Sequence, residues 1–263
     1  MKAAERREQF AEYILKSGYA RIDDLVERFG ISRMTVHRHL DSLERQGMLR
    51  KLHGAVTALP SALYESSFRY RATIGLPEKQ ALARAALEFV DPGQAVILDD
   101  STTALAVAGL LPEVRPLTVI TNSVAAIERL SWVDDIELIC LGGEFNRTYN
   151  SYLGLLCEQT IAELRVNTVF LSASAVQGAT AFHQDEEVVR VKRAMMAIAR
   201  TRVLLVDHNK FGAFALHNLS DLSTFDAVLT TDGLAEEHCA ALANAGINLR
   251  IVPADELARE TKA

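Results

Sequence analysis

Cysteine is scarce in this sequence, and its three positions form no recognisable pair or motif. Cys140, Cys157 and Cys239 lie far apart along the chain. This spacing argues against a disulfide framework and against a structural zinc site. We expect free thiols, as in the reducing cytoplasm. The sequence also offers no set of metal ligands and no cofactor motif, and we predict neither a metal nor a cofactor.

Long apolar runs are also missing. No stretch reaches the roughly 18 apolar residues that a membrane-spanning helix needs, so we expect no membrane partner. The opening segment, MKAAERREQF, is charged and has no apolar core, which argues against a secretory signal peptide. Aromatic residues make up only 6% of the chain, whereas hydrophobic residues together make up 49%. This aliphatic mixture suits an α/β interior.

Charge is divided unequally along the chain. Residues 1–58 hold 11 Lys and Arg against 8 Asp and Glu, and the remainder holds 17 against 26, which gives balances of +3 and −9. The basic part suits an anionic polymer, and the acidic part would be repelled by one. With 263 residues the chain is long enough for two domains of unequal size.

The basic part shows the pattern of three short helices. Apolar residues at helical spacing predict helices over residues 5–16 and 22–29, and a third that starts after Ser32. Gly30 is placed to end the second helix and Ser32 to cap the third. Gly47 is placed to end the third helix.

A small β-hairpin should follow, because residues 48–59 alternate between apolar and polar side chains. Three helices followed by a hairpin predict a winged helix-turn-helix domain over residues 1–58. The irregular stretch 59–75 is expected to be a linker.

The third helix should turn a polar face outward, since Val36, Leu40 and Leu43 recur at the spacing of a buried face. In a winged helix-turn-helix, this helix enters the major groove of DNA, where Arg can bind guanine and Ser or Thr can hold phosphates. The alternative is a solvated face on a domain that binds protein. The predicted DNA-binding residues are Ser32, Arg33, Met34, Thr35, His37, Arg38, Asp41 and Arg45 on the helix, and Arg50, Lys51 and His53 in the wing.

After Pro77, short apolar strands alternate with helices. Such alternation is typical of a mostly parallel sheet that is covered on both faces. The predicted fold class is therefore α/β, with a larger Rossmann-like domain over residues 76–263. Strands are predicted at 95–99, 117–121, 136–141, 167–173, 202–207, 227–231 and 247–252, and a long helix at 184–200.

Polar residues follow three of these strands, at the edge where open α/β sheets bind ligands. Hydroxyls and free N–H groups at helix starts suit a phosphate, and glycines permit close approach. Each group taken alone is equally explained as a helix cap, and each lysine as a solvated side chain. The predicted ligand-binding residues are Asp99, Asp100, Ser101, Thr102, Thr103, Thr121, Asn122, Ser123, Gly142, Gly143, Lys192 and Lys210.

From about residue 4 to 255, the chain resembles the DeoR-type bacterial transcriptional regulators. Their recognition helix and wing typically read Ser-x-x-Thr-Ile-Arg-Arg-Asp-Leu, Leu-Glu-x-x-Gly-x-Leu and Arg-x-His-Gly-Gly. The corresponding segments here are SRMTVHRHL (32–40), LERQGML (43–49) and RKLHGA (50–55). The departures are His37, His39 and Ala55.

The resemblance extends into the larger domain. The family's Thr-Asn-Ser, Gly-Gly, Val-Lys-Arg and Asp-x-x-Lys-Phe motifs match residues 121–123, 142–143, 191–193 and 207–211. Ser101 and Ala175 stand where the family usually has glycine, and Val188 stands where a glutamate is expected. These changes suggest an atypical effector.

The resemblance implies a DNA-binding regulator, usually a repressor, of a carbohydrate catabolic operon. Its larger domain would resemble ribose-5-phosphate isomerase in fold and form a homodimer or homotetramer. The partners would be double-stranded operator DNA and a sugar phosphate, or else another anionic or unphosphorylated sugar or polyol. Activation in place of repression stays open.

The alternative from another class is a sugar-phosphate isomerase with an accessory domain. Such chemistry needs a positioned general base, for which Asp99, Asp100, Glu186 and Lys192 are the evident groups. The fused helix-turn-helix argues against it, since an isomerase has no need of DNA. We therefore predict no catalytic residues.

Overall fold

A computed structural model describes residues 10, 13, 14, 17–45, 49–58 and 67–254. The chain forms two compact units, Met1–Ile74 and Gly75–Ala263. No helix in these described parts is both long and apolar enough to cross a membrane.

The N-terminal unit confirms the predicted second and third helices and the hairpin. Of the predicted helix over residues 5–16, Phe10, Tyr13 and Ile14 are helical; the rest of it, and Gly47, lie outside the described residues. The elements are β1 (Tyr19–Arg21), α1 (Ile22–Phe29), α2 (Arg33–Arg45), β2 (Leu49–Leu52), β3 (Ala55–Ala58) and α3 (Phe68–Arg71).

Both predicted signals between α1 and α2 are confirmed. Gly30 has a φ of 60°, and its N–H donates to the Val26 carbonyl at 3.0 Å. Such left-handed backbone favours glycine because a Cβ is strained there. The Ser32 hydroxyl accepts a hydrogen bond from the Thr35 N–H at 3.3 Å, which caps the start of α2.

The core of this unit joins the helices to the wing. Val36, Leu40 and Leu43 are buried as predicted, and the rings of Phe10 and Phe29 stack with centroids 4.1 Å apart. The sequence missed β1, a three-residue strand that pairs with β3 and extends the hairpin to three strands. It also missed α3, which lies in the stretch expected to be a linker and whose Tyr70 packs against this core.

The C-terminal unit alternates strands and helices. Its elements are α4 (Leu76–Ala86), β4 (Ala95–Leu98), α5 (Thr102–Leu110), β5 (Leu117–Thr121), α6 (Val124–Leu130), β6 (Ile136–Cys140), β7 (Glu144–Asn146), β8 (Ser151–Leu153), α7 (Leu155–Ala162), β9 (Val166–Leu171), β10 (Ala175–Gln177), β11 (Thr180–His183), α8 (Glu186–Ile198), β12 (Ala199–Leu205), β13 (His217–Asp221), β14 (Ala227–Thr231), α9 (Glu236–Asn244) and β15 (Leu249–Val252).

The main sheet is parallel and has the order β15-β14-β12-β9-β4-β5-β6. These are the seven strands predicted from the sequence. Neighbouring residues face opposite cores: Val169 and Leu171 pack on one face, and Phe170 packs on the other. Helices α7, α8 and α9 cover the first face and α4, α5 and α6 the second. Burial on both faces explains the apolar runs that made the strands predictable.

Two smaller antiparallel sheets were not predicted. One is the ribbon of β7 and β8, and the other contains β10, β11 and β13. Most of these strands have only three or four residues, which is too short for a clear alternation. The ribbon is joined to the end of β5 by a bridge between Ser123 and Ser151.

The turn from β6 into the ribbon contains two glycines with different surroundings. At Gly143 φ is 146°, and an added Cβ would lie 2.3 Å from the Leu153 carbonyl oxygen. At Gly142 an added Cβ would meet nothing within 4 Å. Only Gly143 is therefore required by the close approach of two backbone segments.

Replacement of these glycines separates the two cases. We expect Gly143→Ala to lower the free energy of unfolding by about 1–3 kcal/mol, because the methyl group meets backbone and the conformation is strained. The matched variant Gly142→Ala should leave the free energy of unfolding unchanged. Urea denaturation of both variants measures the difference, and equal stabilities would contradict the close approach.

The three cysteines are free and differ in exposure, as Cys140 is exposed and Cys157 is buried. Burial, followed by the nearby charges of Glu158 and Asp100, raises the pKa of the Cys157 thiol to about 12. At pH 8 a thiol with that pKa is ionised to on the order of one part in ten thousand, and the thiolate is the reactive form.

Alkylation of the native protein with iodoacetamide at pH 8 should therefore label Cys140 and spare Cys157. Peptide mass spectrometry measures both sites, and unfolding in urea before alkylation is the control, in which Cys157 should react. Equal labelling of the two cysteines in the native protein would contradict this burial.

Candidate functional site

The face predicted to contact DNA is solvent-accessible throughout. Every predicted residue on α2 and the wing is at least partly exposed, and Met34 is 82% exposed. His37 is also partly exposed, whereas His39 is buried with its ring 5.4 Å from that of Phe10. The helix therefore presents the predicted polar side and keeps the opposite side in the core.

Several basic side chains on this face form no ion pair in the described part of the chain. Arg38, Arg50 and His53 are exposed and form no ion pair with residues 17–45, 49–58 or 67–254. Free guanidinium groups on a helix face are suited to guanine edges and phosphates.

The wing is attached to α2 by two contacts. Lys51 forms an ion pair with Asp41, and the Lys51 N–H donates to Glu44 Oε1 at 2.8 Å. The hydrogen bond from the Lys51 ammonium holds the pKa of Asp41 below its ordinary value. These contacts set the position of the wing cations relative to α2.

A second group of predicted residues lies where β4, β5 and β9 end. The strands are parallel neighbours, so their carboxyl ends share one edge of the sheet. The predicted residues at the ends of β4 and β5 are all buried there: Asp99, Asp100, Ser101, Thr102, Thr103, Thr121, Asn122 and Ser123.

At this edge, α8 places a lysine between two carboxylates. Lys192 is only 2% exposed; its ammonium contacts Asp99 Oδ2 and lies 3.6 Å from Asp100 Oδ1. The explanation of Lys192 as a solvated side chain is therefore wrong. We refer to Asp99, Asp100 and Lys192 as the buried charge cluster, and its formal charge is −1.

Main-chain and hydroxyl donors complete the buried charge cluster. Asp99 Oδ1 accepts from the Ser101 N–H at 2.9 Å, and Oδ2 accepts from the Ser172 N–H at 2.8 Å. The Ser151 hydroxyl donates to Asp100 Oδ2 at 3.0 Å. Buried carboxylates need such partners, because an unpaired buried charge is strongly unfavourable.

Two of the predicted hydroxyls serve as helix caps. Ser101 Oγ accepts from the Ala104 N–H at 3.0 Å, and Ser123 Oγ accepts from the Ala126 N–H at 3.4 Å. The cap explanation is thus right for both residues. Each hydroxyl still has a proton to donate.

Asn122 is held by the ribbon and leaves one atom unsatisfied. Its side-chain NH₂ group donates to the Tyr152 carbonyl at 3.0 Å, and its main-chain carbonyl accepts from the Tyr152 N–H at 2.9 Å. Asn122 is 1% exposed, yet its Oδ1 has no hydrogen-bond partner among the residues that the structure describes. A buried acceptor without a donor is costly and needs an explanation.

The remaining predicted residues lie at the same edge with less burial. Gly142 is exposed, and the close approach at Gly143 is to the chain's own Leu153, so neither glycine requires a ligand. Lys210 is half-buried in the 3₁₀ turn after β12, two strands from β4, and no carboxylate in residues 67–254 pairs with it.

Sequence reasoning missed Ser151 and Ser172, which hold the buried charge cluster in place. Ser172 directly follows β9, so its position after a predicted strand was an available signal. Ser151 begins β8, and nothing in its sequence surroundings indicated a strand or a contact with Asp100.

Two surface grooves lie away from this edge. One, of about 450 Å³, lies along Arg193, Asn218 and Arg202; the other, of about 400 Å³, lies near Pro116 at the amino ends of the strands. In the larger groove, Arg193 and Arg202 donate to main-chain carbonyls. Both arginines thus stabilise the fold, and neither groove holds a predicted residue.

Comparison with known proteins covers both units. Residues 6–62 match the DeoR-like helix-turn-helix domain, and residues 76–232 match the DeoR C terminal sensor domain. YgbI, an uncharacterized HTH-type transcriptional regulator of Escherichia coli (strain K12), is 32% identical over 253 residues, which are 95% of this chain and 98% of that protein. The glycerol-3-phosphate regulon repressor of the same strain is 31% identical over 231 residues, 88% of this chain and 91% of that one.

A solved structure, ribose 5-phosphate isomerase A from Methanocaldococcus jannaschii, is similar to a smaller part. The alignment covers 51% of this chain and 53% of the isomerase chain, with a TM-score of 0.37 and 20% sequence identity. The α/β architecture is established by the observed strand order. Both domain matches and relatives that align over nearly their whole length show that the chain belongs to the DeoR family of transcriptional regulators.

Proposed function

We propose that this protein is a repressor of a carbohydrate catabolic operon, released from operator DNA by a sugar, polyol or sugar phosphate. In this proposal residues 1–58 bind DNA, and residues 76–263 bind the effector and form the homodimer or homotetramer. Residues 59–75 link the two parts. The protein acts in the cytoplasm, where its operator is. The observation that carries the proposal is an exposed Arg38, without an ion pair among the described residues, on the recognition helix of a helix-turn-helix joined to a sensor domain.

DNA contact is supported by the exposed face of α2 and the wing. In a helix-turn-helix, side chains near the start of the second helix reach base edges. Arg38 is then the guanine-reading candidate, and Arg50 and His53 are the phosphate-binding candidates. Dimerisation would present two such helices to successive major grooves, as operators with two half-sites require.

Release of DNA is proposed to follow from a shift between two states of residues 76–263, which we call the sensing unit. An effector that binds one state more tightly shifts the population towards that state. The buried charge cluster, Asn122 and the ends of β4 and β5 lie where open α/β sheets hold ligands. A relative named for the glycerol-3-phosphate regulon supports a carbohydrate-related effector.

Arginine 38 provides the first test. Arg38→Ala should weaken specific DNA binding by about 1–3 kcal/mol, roughly 5- to 150-fold, because it removes a base contact. Gel shifts on duplexes selected from a random library measure the affinity at several salt concentrations. Arg165→Ala, which removes an exposed arginine from the sensing unit, is the control and should bind like the wild type. Wild-type affinity of Arg38→Ala would refute this docking face.

We also infer that the chain is not an enzyme. The relatives that it matches are named as regulators. Within the buried charge cluster, both Asp99 oxygens accept main-chain N–H groups and one also contacts Lys192. A carboxylate held in this way is poorly placed to take a proton from a substrate.

Incubation of the protein with pentose and hexose phosphates should therefore yield no product beyond one equivalent. Chromatography of the sugar phosphates is the measurement, and an added authentic isomerase is the positive control. Sustained conversion by the purified protein, lost in Lys192→Met, would favour the isomerase alternative.

A further inference from the structure

We propose that the effector carries no phosphate group at the buried charge cluster and is recognised there through hydroxyl groups, and that Asp100 sets this preference. The inference rests on the proposed function in one respect: it takes the carboxyl ends of β4 and β5 as the effector site. Two independent observations support it, one of charge and one of hydrogen bonding.

The first observation is the charge balance around Lys192. A lysine paired with Asp99 alone would leave a neutral centre, but Asp100 Oδ1 lies 3.6 Å from the same ammonium. All three side chains are at least 96% buried, so water screens them little. A phosphate ester carries a charge of about −1.5 to −2 at pH 7. A centre of formal charge −1 repels it.

Other positive features at this edge do not reverse that balance. At the N-terminus of α5 two donors are already used, since Asp99 accepts from the Ser101 N–H and the Ser101 hydroxyl accepts from the Ala104 N–H. Lys210 follows β12, which is two strands from β4 and so about 10 Å away at the usual strand spacing. It is also partly exposed, so solvent screens its charge.

The second observation is the unsatisfied acceptor at Asn122. Its Oδ1 is buried and needs a hydrogen-bond donor. A phosphate dianion has only acceptor oxygens, whereas each hydroxyl of a sugar or polyol can donate. The carboxylates of the buried charge cluster are acceptors too. A donor-rich, uncharged ligand therefore suits both features.

The ribbon places these two features next to each other. Tyr152 makes two hydrogen bonds with Asn122, and the preceding residue, Ser151, donates to Asp100. Asn122 and Asp100 thus contact consecutive residues of β8. The strand therefore links the unsatisfied acceptor to the carboxylate that carries the extra charge.

The test removes the extra charge without changing the size of the side chain. In Asp100→Asn the cluster becomes neutral, and we expect inorganic phosphate to bind about tenfold or more tightly than in the wild type. Nuclear magnetic resonance titration with up to 20 mM phosphate localises the binding through the amide signals of Ser101 and Ser172. These signals should shift with phosphate in Asp100→Asn and stay unchanged in the wild type.

Two control variants distinguish an effect of charge on phosphate binding from an effect of loosened packing. Ser151→Ala keeps the charge but removes the hydrogen bond to Asp100, and Asp134→Asn removes an exposed carboxylate elsewhere. Neither should gain phosphate binding at these amides. Phosphate sites on the DNA-contacting face are the same in all four proteins and do not affect the comparison.

Three results would overturn the inference. They are saturable phosphate binding at these amides in the wild type, no gain in a folded Asp100→Asn, and an equal gain in Ser151→Ala. The wild-type titration decides the matter even where Asp100→Asn does not fold. Gel shifts on the same samples test the proposed function separately. If the wild-type protein binds no DNA, the proposed regulator function is refuted. If it binds DNA but gives one of the three phosphate results above, only the present inference is refuted.

Discussion

The buried contact between Lys192 and Asp99 is the constraint on which the sensing unit depends. It joins α8 to the end of β4, and the Ser172 N–H adds the end of β9. Removing one partner of a buried pair costs about 3–5 kcal/mol, since the other charge is left unpaired. The chain therefore balances the charge of Lys192 with its own carboxylates. This limits the charge that a ligand can bring to the sheet edge.

The DNA-binding unit follows a different rule, because its charges are exposed. Asp41 pairs with Lys51 at the surface, while Arg38, Arg50 and His53 form no ion pair in the described residues. An exposed ion pair adds little stability. Its effect here is geometric, since it relates the wing to α2.

Much of the fold was predictable because burial leaves a periodic pattern. All seven strands of the main sheet came from apolar runs, and α1, α2 and their caps from apolar spacing with Gly30 and Ser32. The ribbon and β1 were not predicted, because strands of three residues are too short to show an alternation of apolar and polar side chains. The site was predictable in location, through the polar residues after β4 and β5. Its internal pairing was not, because contacts of Asp100 with Ser151 and of Asp99 with Ser172 depend on chain segments far apart in sequence.

The ribbon of β7 and β8 has a consequence for signalling. It is joined to the sheet edge by contacts with Ser123, Asn122 and Asp100, and Tyr149 and Leu153 anchor it in the core. A molecule that formed hydrogen bonds with Ser151 or Asn122 would replace contacts that hold the ribbon to the sheet edge. Phe145, Leu155 and Leu156 are exposed on the ribbon and just after it. A shift of the ribbon would therefore change the apolar surface that the protein exposes to solvent.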